Sequence, residues 1–546
     1  MAKPTRYTPE VIEDYRKKGF WQSVTFSDLW KTNAGKYPHK KAVADSRISL
    51  TWAEADRWID RLALSLLELG LKKDDMVAAQ LPNGVEVCLV RVACERAGLL
   101  CTPIQRNFRH KEMEYILKYI EAKAVVIPLR IRDFCYLDMI RELQPALPSL
   151  KQVILTGDEA GEDTISFNAM AKEVMERRYP RGYLENTKCP ADEFSLVLPT
   201  TGTTGFPKLV EHPICCALYM GGEYLKRFGL TPEDIIGVFG PAPEGPNAVA
   251  YLGAPLMGIP IIMEERFEAG EALRLIQDEH ITFIGLVPTQ IFMMTAHPDF
   301  GKYDLSSLKL IWVGGAPLNF DQASEAEGKF GCRIVQGYGL VDAGGVAAGS
   351  PAESQKDRLC TVGKPLPGNE LRFIDNDGNE VPEGEIQVRG PVFASGYYKD
   401  PQATASLWTK DGWYTTGDLG KFDSQGNLVI VGRKKDTIKR GGQNIFPVEV
   451  EDLLLTHPAL SEVAIIGMPD PLMGERACAY VAPRKGMTFS FEEMASFLRD
   501  KNLAPFKLPE RLEILEKLPI AGEQKVDKKA LQKDIAQKLK DEGKIK

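Results

Sequence analysis

Apolar positions in the first third of the chain switch between two spacings. Over residues 51–71, TWAEADRWIDRLALSLLELGL, they recur every three or four residues, which predicts a helix with Gly70 as its stop. DDMVAAQLP then predicts a short buried strand ending at a Pro-Asn-Gly turn. VEVCLVRVACERAGL predicts a helix and LCTPI a strand, and HKEMEYILKYIEA with KAVVIPL repeats the alternation. The pattern returns at 272–287, ALRLIQDEHITFIGLV, and at 308–315, LKLIWVGG. Helix and strand alternating at this interval predict a parallel sheet covered on both faces.

After about residue 360 the texture changes. NELRFIDNDGNEVPEGEIQVRG and GNLVIVGRKKDTIKRGG read as strand–turn–strand, with Asp-Gly and Glu-Gly turns in the first. A last stretch, about 436–546, mixes strands such as SEVAIIGMP and ACAYVAP with helices and a Lys-rich end. A boundary is expected near GRKKD, 432–436. The 546 residues exceed one ordinary core, so two to four structural units are expected. No internal repeat or low-complexity tract interrupts them.

Composition narrows the function. Hydrophobic residues make up 44% and charged residues 26%, as in soluble globular proteins. A net charge of −7 argues against a general nucleic-acid binder, which carries a basic face. The longest apolar run, Val249 to Met263, is too short for a membrane span, is broken by two prolines and ends in Glu264-Glu265-Arg266. It is expected in the core. The ten cysteines show no metal-ligand spacing, and the start MAKPTRYTPEVIEDYRKKGFW is polar. Free thiols and a reducing cytoplasm are the expectation.

Chemistry concentrates in LVLPTTGTTGFPKLV, 196–210. Gly202 and Gly205 permit a tight turn that aims backbone N–H groups at an anion. Thr200, Thr201, Thr203 and Thr204 add hydroxyl donors, and Lys208 adds a positive charge. The spacing is not that of a Walker P-loop, because Pro207 follows where that motif needs Gly-Lys. Residues alone leave two readings: a phosphate cradle, or a plain Thr/Gly surface loop.

TTGTTGFPK resembles the nucleotide loop of the adenylate-forming superfamily, which holds acyl-CoA synthetases, firefly luciferases and nonribosomal adenylation domains. Four more segments resemble that family's motifs in order: QGYGLVDAG (336–344), GYYKDPQATASLWTKDGWYTTGDLG (396–420), GRKKDTIKRGGQNIFPVEVE (432–451) and LPIAGEQKVDKKAL (518–531). YRKKGFW, LTWAEADRWIDRLA and KVDKKAL resemble the dihydroxybenzoate–AMP ligase branch, near the aryl and cyclic acid–CoA ligases. The resemblance implies an α/β fold. A large N-terminal domain, 1–434, would hold doubly wound, mostly parallel sheets with a β-rich part from about 355, and a small mobile α+β domain would span 435–546.

It also implies roles. The loop 200–205 with Lys208 would grip the ATP phosphates. Tyr338, between Gly337 and Gly339, would stack on adenine. Asp418 and Arg433 would hold the ribose. Lys525 would bridge the acid and the α-phosphate. Lys435 would be the hinge on which the small domain turns, and Gly442 would line a thiol tunnel. Asp342 stands where most relatives carry the Glu that helps hold Mg²⁺; it is one methylene shorter. Val341 and Gln524 also depart from the family's Thr and Gly. No nucleophilic side chain is required, so Cys215 and Cys216 are expected to be packing residues.

The implied activity is AMP-forming ligation of a carboxylic acid to coenzyme A, with ATP/AMP, Mg²⁺ and CoA, in either direction. The acid pocket would involve Glu244, Gly245, Gly314 and Gly315. Aryl-acid relatives carry His-Asn where Pro243 and Glu244 align, which argues against dihydroxybenzoate and salicylate. Gly314, Gly315, Gly337 and Gly339 would leave room for a compact, unsubstituted or lightly substituted ring. Loading of a separate carrier protein and a non-catalytic nucleotide-binding homologue are the alternatives. No nucleic acid and no integral membrane segment is expected, and monomer and homodimer stay open.

Overall fold

A computed structural model describes residues 2–157, 161, 163–200, 206–243, 245–316, 318–441, 443–521 and 525–545. They form two compact units. The first comprises Met1–Leu318, Ser324–Glu370 and Arg389–Tyr414, the second Asn319–Ala323, Leu371–Val388 and Thr415–Lys546.

The first unit follows the predicted alternation. The helix Trp52–Glu68 starts at a capping box: the Thr51 hydroxyl accepts from the Glu54 N–H, and the Glu54 carboxylate accepts from the Thr51 N–H. The helix buries Ala55, Ile59, Leu62 and Leu66, and the chain then turns at Gly70, φ 88°. The strands Met76–Ala79, Leu100–Pro103, Ala124–Pro128 and Gln152–Thr156 pair in parallel. The first three of them are buried throughout, as a sheet covered on both faces requires. Among the described residues they belong to an eight-stranded sheet that ends on Phe194–Pro199, Leu209–Pro213 and Gly396–Tyr397.

A second sheet, of nine strands among the described residues, has Ile261–Met263, Ile236–Val238, Phe283–Leu286, Leu310–Val313 and Arg333–Leu340 in parallel. Gly344–Ala348 pairs antiparallel with the last of these. The carboxyl ends of its parallel strands gather Gly240, Val287, Gly314 and Gly337, the end at which open α/β sheets bind ligands. The apolar run from Val249 is core, as expected: a π-helical turn Val249–Gly253, the helix Ala254–Met257 and the strand Ile261–Met263. Among the described residues no helix is long and apolar enough to cross a membrane. Cys215 and Cys216 pack with Tyr7 and Trp21 in a buried cluster.

Apart from the end residues Glu370, Arg389 and Tyr414, a four-stranded sheet, Glu370–Ile374, Glu383–Arg389, Tyr414–Phe422 and Leu428–Arg433, belongs to the second unit. The β-rich part thus begins near 370 rather than 355. Residues Gln355–Cys360 form a helix, and Lys364–Pro365 pairs with the nine-stranded sheet. The long hairpin Leu460–Asp470 and Gly474–Pro483 carries the α+β end. Alternation splits its two faces. Ile465, Ala479 and Val481 pack with Val450, Leu454, Met494 and Leu498. Ile466, Cys478 and Tyr480 pack with Leu531, Ile535 and Leu539 of the helix Lys528–Asp541. The boundary expected at 434/435 falls on a single 3-10 turn, Lys434–Asp436, inside this unit.

Candidate active site

The Thr/Gly loop joins the two strands of an antiparallel hairpin, in which Pro199 pairs with Leu209. Two hydrogen bonds close its neck. The Thr200 N–H donates to the Lys208 carbonyl at 2.8 Å, and the Lys208 N–H donates to Thr200 Oγ1 at 3.1 Å. Thr201, Gly202, Thr203, Thr204 and Gly205 lie outside the described residues. The Lys208 ammonium sits 4.5 Å from the centroid of the Tyr397 ring, a cation–π distance. The neck therefore fixes both the backbone and the direction of the lysine.

Asp342 lies in the turn between Arg333–Leu340 and the antiparallel Gly344–Ala348. Its Oδ2 accepts a hydrogen bond from the Tyr414 hydroxyl at 3.2 Å. Its Oδ1 is buried and has no hydrogen-bond partner among the described residues. Burial pushes the carboxyl pKa up, against the opposing pull of the Tyr414 hydroxyl, Lys208 and Tyr397. Burial and the Asp342 charge hold the Tyr397 and Tyr414 phenols well above their ordinary range, so both are protonated donors at neutral pH. Lys208, Asp342, Tyr397 and Tyr414 thus form one cluster. Sequence reasoning did not single out the two tyrosines, although GYYKD and WYTTGD, both within the 396–420 segment, contain them.

In the second unit Asp418 and Arg433 are register partners on neighbouring antiparallel strands. Arg433 Nε lies 3.2 Å from Asp418 Oδ1. Asp418 is buried and Arg433 is half exposed, so the pair presents one fixed carboxylate beside a reachable guanidinium. The left-handed Gly417, φ 76°, makes the local turn, and the Asp418 N–H donates to Thr416 Oγ1 at 3.1 Å. Lys525 opens the short strand Lys525–Val526 and pairs with Ala521. Lys435 lies in the 3-10 turn after Arg433. Gly442 lies outside the described residues.

Residues 30–398 match the family model described as AMP-binding enzyme, and 449–525 match AMP-binding enzyme C-terminal domain. The chain belongs to the AMP-binding enzyme family. It is an adenylate-forming acid ligase that uses ATP and AMP. It is 32% identical over 545 residues to 2,3-dihydroxybenzoate-AMP ligase of Bacillus subtilis (strain 168), covering 98% of each chain. It is 31% identical to the Salicylyl-CoA synthase / salicylate adenylyltransferase of a Streptomyces species, covering 96% of each. Among solved structures it resembles the anthranilate CoA ligase AuaEII in complex with anthranoyl-AMP, with a TM-score of 0.84. That likeness, at 22% identity over 95% of this chain and 98% of the other, concerns the fold alone.

In this AMP-binding enzyme two of the four glycines expected to leave room for a ring, Gly337 and Gly339, lie against the chain itself. A Cβ at Gly314 would meet Pro246 Cγ at 3.4 Å. One at Gly337 would collide with the Trp312 indole, and one at Gly339 would lie 2.8 Å from the Gly344 carbonyl oxygen. Gly337 and Gly339 thus permit close packing of neighbours, whereas a Cβ at Gly314 would make only ordinary contact. Gly315 is left-handed, φ 82°, with Val287 Cγ1 3.5 Å from where its Cβ would stand. Gly245, φ 53°, opens the 3-10 turn Gly245–Asn247 that carries Pro246. Glu244 lies outside the described residues. Tyr338 is half-buried on the strand Arg333–Leu340.

Two further polar groups had no signal in the sequence. Asn247 is buried beside Gly240, and its Oδ1 has no hydrogen-bond partner among the described residues. His212, on Leu209–Pro213, is buried, and burial pushes its pKa down from 6.5 to about 4. The unfolded chain therefore takes up this proton first as pH falls. No stability is lost above about pH 6.5; it is lost as pH falls from there to about 4, at about 1.4 kcal/mol per pH unit, so about 3 kcal/mol in all. His212→Gln is expected to flatten that part of the denaturation-midpoint profile. A slope identical to that of the unmodified protein would contradict a buried neutral imidazole.

Proposed function

We propose that this enzyme is an AMP-forming acid–CoA ligase acting on a compact cyclic acid, aromatic or alicyclic. The acid carboxylate attacks the α-phosphorus of ATP, pyrophosphate leaves, and an acyl-adenylate forms. The CoA thiolate then attacks the acyl carbonyl, and AMP leaves. The same steps run backwards give ATP from acyl-CoA, AMP and pyrophosphate.

The observation that carries the reading is the convergence of Lys208, Asp342, Tyr397 and Tyr414 at the neck of the Thr/Gly hairpin. Lys208 and the loop amides and hydroxyls of 200–205 hold the β- and γ-phosphates. Tyr338, flanked by Gly337 and Gly339, stacks on adenine. Asp418 accepts hydrogen bonds from the ribose hydroxyls, with Arg433 beside it. Lys525 neutralises charge shared between the acid carboxylate and the α-phosphate as they close. The unpaired, buried Oδ1 of Asp342 suits a hard cation. Asp342 would hold Mg²⁺, which would draw off charge from the ATP phosphates.

Support for a compact acid comes from the run of small residues Gly314, Gly315, Gly337 and Gly339 in the motifs that border the expected acid pocket. Relatives named for dihydroxybenzoate and salicylate support an aryl acid. A second reading rests on Asn247, whose unpaired amide oxygen would accept from a ring hydroxyl or amino group. Acid-dependent ATP–pyrophosphate exchange with benzoate, cyclohexanecarboxylate, salicylate, anthranilate, dihydroxybenzoate and octanoate tests both. The largest kcat/KM with an unsubstituted ring supports the first reading, and with a hydroxylated or amino ring the second. Octanoate as the best acid would overturn both.

Lys435 is the proposed hinge for presenting the 440–444 face, RGGQN, in the thioester step. Lys435→Pro is expected to leave pyrophosphate exchange within about twofold and to lower overall acyl-CoA formation by at least about tenfold. Normal overall turnover in that variant would remove the hinge role.

A further inference from the structure

We propose that the amino-terminal segment, through Arg6 and Trp408, is a positioning element for the adenylation residues Asp342 and Lys208. The proposal rests on the roles given to those two residues above.

The segment is bound along its length to the strands that carry the site. The Ala2 carbonyl accepts from the Phe194 N–H at 3.1 Å, at the start of the hairpin's first strand. Thr5 donates its N–H and its hydroxyl to the two oxygens of Glu211, at 3.0 and 2.8 Å. Glu211 is buried three residues beyond Lys208, and the Ser395 hydroxyl donates to it at 2.6 Å. Arg6, Tyr7 and Trp21 donate to the carbonyls of Ala394, Phe393 and Pro391, at 3.0, 2.7 and 2.9 Å. These carbonyls form one continuous piece of backbone that leads directly into Gly396–Tyr397.

Arg6 makes this more than a covering of apolar surface. Its guanidinium lies 4.8 Å from the centroid of the Trp408 ring. Burying a cation is costly, and burial lowers the Arg6 pKa. An apolar side chain would cover the indole at less cost. What the cation adds is a directional hold on one ring. That ring packs against both tyrosines of the site, with centroids 5.4 Å from Tyr397 and 4.6 Å from Tyr414. Tyr414 binds Asp342, and Tyr397 carries the Lys208 ammonium on its face. Arg6, Trp408, the two phenols, Asp342 and Lys208 are thus linked by successive contacts. Asp342 has a short side chain, so it depends on being held close.

The test uses the full chain and the acid with the highest exchange rate in the panel above. Arg6→Met keeps length and apolar bulk and removes the charge. It is expected to raise KM for ATP in pyrophosphate exchange about tenfold, while thioester formation from supplied acyl-adenylate and CoA stays within about twofold. Arg6→Lys is expected to restore most of the ATP affinity. Equal loss in both half-reactions would mean a merely structural role and would overturn the proposal, as would an unchanged KM. If Arg6→Met does not fold, Trp408→Phe, which keeps a ring between the tyrosines, is expected to give the same split at smaller size; no split there overturns it. Asp342→Ala and Lys208→Ala run alongside. If neither slows exchange, the site assignment itself fails. If both do and the Arg6 variants do not, only the positioning role fails.

Discussion

Lys525→Ala is expected to slow acyl-adenylate formation by about 10²–10³-fold and to leave thioester formation from supplied acyl-adenylate and CoA within about threefold. The asymmetry follows from where charge sits. In the first step two anions, the acid carboxylate and the α-phosphate, must approach, and a single ammonium offsets both. In the second step the acid is already joined to the α-phosphate as a neutral mixed-anhydride carbonyl, so no two anions have to be brought together. A lysine on a two-residue strand of the smaller α+β part, opposite Ala521, is placed on an element separate from the nucleotide hairpin. The buried side chains Leu531, Ile535 and Leu539 lie on the following helix. Equal loss in both steps would contradict the role assigned to Lys525.

Asp418→Ala is expected to behave differently: both half-reactions lose at least about 10²-fold in kcat/KM, because ATP and the acyl-adenylate share the same ribose. Two hydrogen bonds to an ionised carboxylate are worth about 1.5–3 kcal/mol each, enough for that loss. Part of the effect comes from Arg433, which faces Asp418 at 3.2 Å and would be left without it. Asp418→Asn keeps the shape and loses the charge, so it should fall between the two. The contrast with Lys525 is the informative part. A folded Asp418→Ala enzyme with an unchanged KM for ATP would remove the ribose assignment.

The alternating helices and strands were legible because each is short, strongly apolar and closed by a glycine or proline turn, as at Gly70 and Pro82-Asn83-Gly84. The antiparallel edge was not. Phe194–Pro199 reads as one more buried strand, and only its pairing with Leu209–Pro213 reveals a hairpin. Asp418 and Arg433, both named from their motifs, are register partners on neighbouring strands. The supporting shell stayed invisible. Tyr397, Trp408 and Tyr414 look like any buried aromatic residues, and nothing near Arg6 in sequence marks it as a partner of Trp408, 402 positions away. The glycines misled for a related reason. A glycine signals close approach, but not whether the neighbour is a ligand or, as at Gly337 and Gly339, an indole and a backbone carbonyl of the same chain.

The most direct measurement is the product of a complete reaction. The protein would be incubated with ATP, MgCl₂, CoA and the best acid of the exchange panel, and the mixture analysed by mass spectrometry. The expected result is acyl-CoA with AMP and pyrophosphate in equal amounts. An acyl-adenylate that accumulates while CoA stays unmodified would contradict CoA as the acceptor and assign the acyl group to a carrier protein instead. Neither product with any acid would contradict ligase activity on this substrate class altogether.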